Sequence, residues 1–287
     1  MATALEEARE VVDSVPPLDD DAFRKFLEDE KNFRMIAELV LGEELPSGEI
    51  QDIQGERVLV VNGKTIRMDN FRKTPAGVVN MEAQRAAQAF PFKRHLFYWA
   101  VAYTSPLKKG QSYEQLMPAI SIVLYEDKGD AGVIEEAGLS GSLLRPGDGQ
   151  LKMVAVNAVK WRETKNEKLR QYLAILSNGV YNSKTAEKFY GVDTQSVFFK
   201  NLNNTVRVAA SALKYAEYSE KGDSEMSEAI RVLSVEDFEL ARRDGVKEGS
   251  EDVALKLLAK GYPEPDILEV TGLAQEALDR LKLRLKS

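Results

Sequence analysis

The residues of this 287-residue chain best placed to do chemistry are two acids, Asp69 and Glu82, and an amide, Gln84. Residues 78–84 read VVNMEAQ. In extended backbone successive side chains point to opposite faces, so Asn80, Glu82 and Gln84 share one face while Val79, Met81 and Ala83 share the core face. Asp69 falls on the preceding strand, and the turn Thr74-Pro75-Ala76-Gly77 between them lets a hairpin bring Asp69 beside Glu82. Two carboxylates a few ångströms apart repel unless one takes a proton or a cation lies between them. With oxygen ligands that cation is hard, Mg²⁺ or Mn²⁺. The alternative is that both acids are solvated strand residues paired with Arg67, Arg72 or Arg85. The absence of cysteine excludes disulfides, zinc–thiolate sites and thiol nucleophiles, and a single histidine, His95, excludes any site that needs two.

The elements that must position these residues follow from hydrophobic period. Residues 4–13 predict a helix stopped by Pro16-Pro17, and 20–41 a longer one closed by Gly42, with Phe23, Phe26, Leu27, Phe33, Ile36, Ala37 and Val40 on its apolar side. Strands at 57–61 and 65–72 flank Asn62-Gly63, a hairpin signal, and with 78–84 predict a three-stranded antiparallel meander. An aromatic helix over 92–105 and a buried strand over 118–125 come next. Six glycines between Gly129 and Gly149 predict a loop, 151–161 a further strand, and nearly everything beyond 164 helix. This order predicts an α/β fold divided into an N-terminal helix and linker (1–19), a core (20–180), a helical segment (181–250) and a helical pair (251–287).

At these residues a family resemblance enters. Arg67-Met68-Asp69 followed by Val79-Asn80-Met81-Glu82-Ala83-Gln84-Arg85 resembles the core motif of the PD-(D/E)xK nuclease superfamily, and more narrowly its transposase-like, recombination-promoting branch. The stretch 95–113 (HLFYWAVAYTSPLKKGQSY), the strand 118–124 and the closing LLAKGYPEPDILEVTGLAQEALDRL are also similar to that branch. The resemblance implies a restriction-endonuclease-like core, a mixed central sheet flanked by helices, with a helical C-terminal region. It further implies a Mg²⁺-dependent (or Mn²⁺-dependent) DNA endonuclease of low sequence specificity, related to recombination or transposition. Asp69, Glu82 and the backbone carbonyl of Ala83 would hold the metal, with Glu38 a weaker further ligand. The cation would lower the pKa of a water molecule and stabilise charge on the scissile phosphate. Gln84 stands where the wider superfamily often has lysine; its amide can orient water but cannot act as a base. Asn70 departs from the family pattern, which has an apolar residue after the aspartate. The runner-up is a DNA-binding or toxin-like regulatory module on the same fold that hydrolyses little.

Charge distribution bears on the same question. The formal charge is −7, yet between Ala83 and Tyr113 there is no acid, while Arg85, Lys93, Arg94, Lys108 and Lys109 supply five bases as candidate phosphate contacts. The compensating acids concentrate at 217–252, with 12 acids against 5 bases. His95 reads as structural or phosphate-contacting, because no orienting carboxylate lies at a readable spacing. Near the C-terminus, Ala254, Leu257, Leu258, Ile267, Val270, Leu273, Leu278 and Leu281 around Thr271-Gly272 resemble a helix-turn-helix. Its second helix opens with Gln275, Glu276 and Asp279, which favours packing or homo-oligomerisation over base reading. The acidic first residues and the lack of an apolar run near the roughly 18 residues of a membrane span predict a cytoplasmic protein with DNA, and no membrane, as its partner.

Overall fold

The computed structural model describes residues 2–52, 57–61, 64–68, 70–85, 92–104, 107, 109–138 and 151–286. Three helices open the chain: α1 (Ala2–Asp13), α2 (Asp20–Leu27) and α3 (Glu30–Leu41). The single helix expected over 20–41 is therefore two. Asp29 leaves the helical conformation (φ −72°, ψ 123°) and its carboxylate accepts from the Lys31 N–H, which caps a new helix start. Gly42 closes α3 at φ 71°, as its position after the apolar period implied. All seven apolar residues expected along 20–41 are buried.

The strands are β1 (Gln51–Asp52), β2 (Arg57–Val61), β3 (Lys64–Met68), β4 (Asn70–Thr74) and β5 (Gly77–Gln84), then β6 (Ala119–Tyr125), β7 (Ile134–Gly138) and β8 (Leu151–Asn157). They form a six-stranded sheet in the order β1-β4-β5-β6-β8-β7 and a separate β2-β3 hairpin. The predicted three-stranded meander is thus corrected: its middle strand splits, β3 pairing with β2 and β4 with β5. Met68 and Phe71 explain the split. Both lie in one buried cluster with Val78, Val101 and Ala102, although residues three apart on an uninterrupted strand point to opposite faces.

Pairing in the large sheet is mixed. β4 runs antiparallel to β5, β5 and β8 run parallel to β6, and β7 runs antiparallel to β8. All seven residues of the central strand β6 are buried, as a parallel strand covered on both faces requires. The edge strand β7 lies inside the stretch expected to be loop; residues 139–150 of that stretch lie outside the described residues. The strand expected over 151–161 ends at Asn157 and gives way to a 3-10 turn over Ala158–Glu163. That turn sends Ala158 and Trp161 into the same core, which alternation would forbid.

Helices cover both faces of the sheet. On one side α2, α3, α5 (Glu167–Asn178) and α6 (Val197–Glu220) pack on Val79, Met81, Ile122, Leu124, Val154 and Val156, in a buried cluster that runs from Leu18 to Ala209. On the other side lies α4 (Phe92–Thr104), where Trp99 Nε1 donates to the Ala119 carbonyl at 2.9 Å. The C-terminal region is helical as expected, with α7 (Ser224–Ala259), α8 (Glu264–Thr271) and α9 (Gln275–Lys286). Ala254, Ile267, Leu278 and Leu281 form its small core, whereas Val270, expected among them, is 70% exposed. Among the described residues, no helix is long and apolar enough to cross a membrane.

Candidate metal and phosphate site

The site forms on the face of β5 that meets α4. Strand alternation places Val79 and Met81 in the main core, with Ala83 packed against it. Asn80, Glu82 and Gln84 look the other way, as the sequence implied. The side chains of Asn80 and Glu82 touch, Asn80 Nδ2 donating to Glu82 Oε1 at 2.9 Å. Glu82 is 4% exposed, so it is not a solvated strand residue. Of the arginines considered as its partners, Arg72 is directed to the opposite layer, donating to the carbonyls of Leu27 and Glu28 and lying over the Phe33 ring.

The chain's one histidine completes the arrangement. His95, in the first turn of α4, is 2% exposed. Its Nε2 lies 2.8 Å from Gln84 Oε1 and its Nδ1 lies 3.2 Å from Glu82 Oε2. A carbonyl oxygen only accepts, so Nε2 donates to Gln84, whose amide N–H pair is not used in this contact. His95 therefore bridges Glu82 and Gln84 of β5 and is buried there. The orienting carboxylate that sequence spacing did not reveal is Glu82 itself.

The other expected residues are distributed as follows. Asp69 and Lys108 lie outside the described residues. β4 reaches as far as Asn70, which pairs with Met81, the residue before Glu82. The Ala83 backbone lies in the β5–β6 ladder opposite Leu124. Glu38 sits on α3, whose buried side packs in the other layer; its Oε1 accepts from the Leu45 N–H at 3.0 Å and lies 3.7 Å from Arg34. The structure thus gives Glu38 a local task in closing the loop after α3 and does not bring it to Glu82. Arg85, Lys93, Arg94 and Lys109 are all exposed. Lys93 and Arg94 open α4 beside His95.

Electrostatics tie these bases to the acids. Burial works against the charge on Arg94, but the hydrogen bond to Tyr98 (3.2 Å) and the fields of Tyr98, Glu82 and Asp20 outweigh it, so its pKa is raised. Asp20, at the start of α2, is a second acid acting on this region that sequence reasoning treated only as part of a helix. At the end of β6, burial raises the pKa of Glu126, with Arg85 and Lys128 opposing.

The donor set fits a hard divalent cation. Glu82 offers a carboxylate, and Asn80 Oδ1 is buried with no hydrogen-bond partner among the described residues. Among the described residues no cluster of three or more acids and histidines forms; Asp69 lies outside them. A family model described as PD-(D/E)XK nuclease family transposase matches residues 17–230 of the chain. No curated protein and no solved structure matches it.

Proposed function

The chain belongs to the PD-(D/E)XK nuclease family transposases, and from that premise we propose that it is a metal-dependent DNA endonuclease with little sequence preference. The observation that carries the reading is Glu82: a carboxylate 4% exposed, joined to Asn80 and His95 on the face of β5 that also carries Gln84. Glu82 and the Asp69 carboxylate would hold Mg²⁺ or Mn²⁺, with the Ala83 carbonyl as a further oxygen. The β4–β5 register supports the reading, since it sets Asn70, which follows Asp69 in the sequence, opposite Met81, which precedes Glu82. The cation would supply Lewis acidity at the scissile phosphate.

The chain's own groups do the remaining work. The Gln84 amide, its oxygen held by His95, directs N–H donors at the attacking water or at a phosphate oxygen. Being neutral, it takes no proton. Lys93 and Arg94 neutralise the phosphate backbone at the N-terminal end of α4, where the helix dipole adds to the positive potential. Arg85 and Lys109 extend that potential, and Lys108 adds a further base in the sequence.

Supercoiled plasmid incubated with Mg²⁺ or Mn²⁺, against EDTA, tests the proposal. Nicking that requires the metal is the expected result. DNA retardation at low salt without cleavage would mean a binding module on this fold, and no retardation at all would end the DNA reading.

A further inference from the structure

We propose that His95 is itself a ligand of the divalent cation, through Nδ1, and that this nitrogen biases the site toward Mn²⁺ over Mg²⁺. The inference rests on the metal-dependent reading above and adds a residue to it. Three observations carry it. The Nε2 hydrogen is committed to Gln84 Oε1 at 2.8 Å, so in the neutral ring the lone pair belongs to Nδ1. Nδ1 stands 3.2 Å from Glu82 Oε2. Two ligand atoms bound side by side at roughly 2.0–2.2 Å from one cation stand about 3 Å apart, which matches that separation. The ring is 2% exposed and Tyr98 lies edge-on to it at 6.3 Å between centroids, so the aim of Nδ1 is fixed by packing.

The Gln84 contact has the character of an outer-shell bond. Ligating histidines usually donate their second ring N–H to an oxygen acceptor, which sets the tautomer and orients the ring, and Gln84 Oε1 is such an acceptor. Glutamine at this position therefore has a task that lysine could not perform: an ammonium group accepts no hydrogen bond from Nε2. Mg²⁺ favours oxygen ligands and water, whereas imidazole is accepted more readily by the later divalent ions, so one nitrogen among oxygens shifts the preference toward Mn²⁺. The competing occupant of the gap between Nδ1 and Glu82 is a proton, which would make His95 an imidazolium paired with the carboxylate.

Because the chain has one histidine, untagged protein allows the test without mutation. Pulsed electron paramagnetic resonance of the Mn²⁺-loaded protein, grown with ¹⁴N- or ¹⁵N-histidine, should show a nitrogen coupling that changes with the isotope. Protein that binds Mn²⁺ and nicks DNA but lacks that coupling would overturn the assignment of His95 and leave the nuclease reading standing. Protein that binds no divalent ion would overturn both. The variant His95→Gln reads the bias by calorimetry: it should lose about tenfold in Mn²⁺ affinity and less than about twofold for Mg²⁺. Equal losses for the two ions would refute the selectivity claim.

Discussion

Glu82 is withdrawn from water yet surrounded by polar partners, which separates its chemical role from its structural one. Glu82→Gln keeps an oxygen to accept from Asn80 and removes the charge. Cleavage by this variant should fall to background while DNA retardation and thermal stability stay close to the parent; cleavage at the parental rate would place the metal elsewhere. Gln84→Ala removes the donor proposed for the water or phosphate but none of the proposed metal ligands. A lost hydrogen bond of about 1–3 kcal/mol predicts a rate roughly 10–100-fold lower in a plasmid-nicking time course. The shared face of Asn80, Glu82 and Gln84 was legible in the sequence because the strand period is two and their neighbours are apolar. His95 was not. Its meeting with β5 joins residues 11 and 13 positions apart on a strand and a helix, and no periodicity relates two elements that pack through tertiary contact.

At the level of elements, the turn from β4 to β5 sets the register on which Glu82 depends. Gly77 has φ 127°, and a Cβ there would fall 2.3 Å from the Pro118 carbonyl oxygen, which accepts the next N–H, that of Val78, at 2.8 Å. Both the backbone conformation and the space exclude a side chain. Gly77→Ala should cost on the order of 2–4 kcal/mol, read as a lowered denaturation midpoint, and should lower cleavage with it by disturbing β5. Helices α1 and α4 and strands β2, β5 and β6 could be read from the sequence because their apolar periods are clean. β7 could not, since Ile134-Glu135-Glu136-Ala137-Gly138 is a half-exposed edge strand with two adjacent acids, and it therefore lacks the alternation that marks a strand. The division of 20–41 into two helices was hidden for a different reason: Asp29 caps α3 without interrupting the spacing of apolar residues on either side.

Across the whole molecule, the first helix is bound to helices that lie far along the sequence. Ala8 and Val12 of α1 pack with Ala210, Ala229, Ile230 and Leu233 of α6 and α7, and Arg207 pairs with Asp13 at 2.9 Å. Arg9 reaches Asp237, which is 1% exposed on α7, at 2.5 Å. Burial raises the Asp237 pKa, and the hydrogen bond and charge of Arg9 oppose that rise. Arg9→Ala should therefore destabilise the fold by about 2–3 kcal/mol at neutral pH, somewhat less than for a fully buried pair because Arg9 is partly exposed. A carboxyl whose pKa is raised on folding holds its proton more tightly in the folded state. The deficit should thus be largest near pH 7 and shrink as the pH falls toward 4, measured by denaturation at each pH. A deficit independent of pH would show that Asp237 stays ionised without Arg9. The same joint has a consequence for synthesis. Arg9 and Asp237 are 228 residues apart, a distance that takes a ribosome roughly 10–45 s to cover at about 5–20 residues per second. Until α6 and α7 have been made, the apolar side of α1 has neither of them to lie against, so this joint closes only late in synthesis.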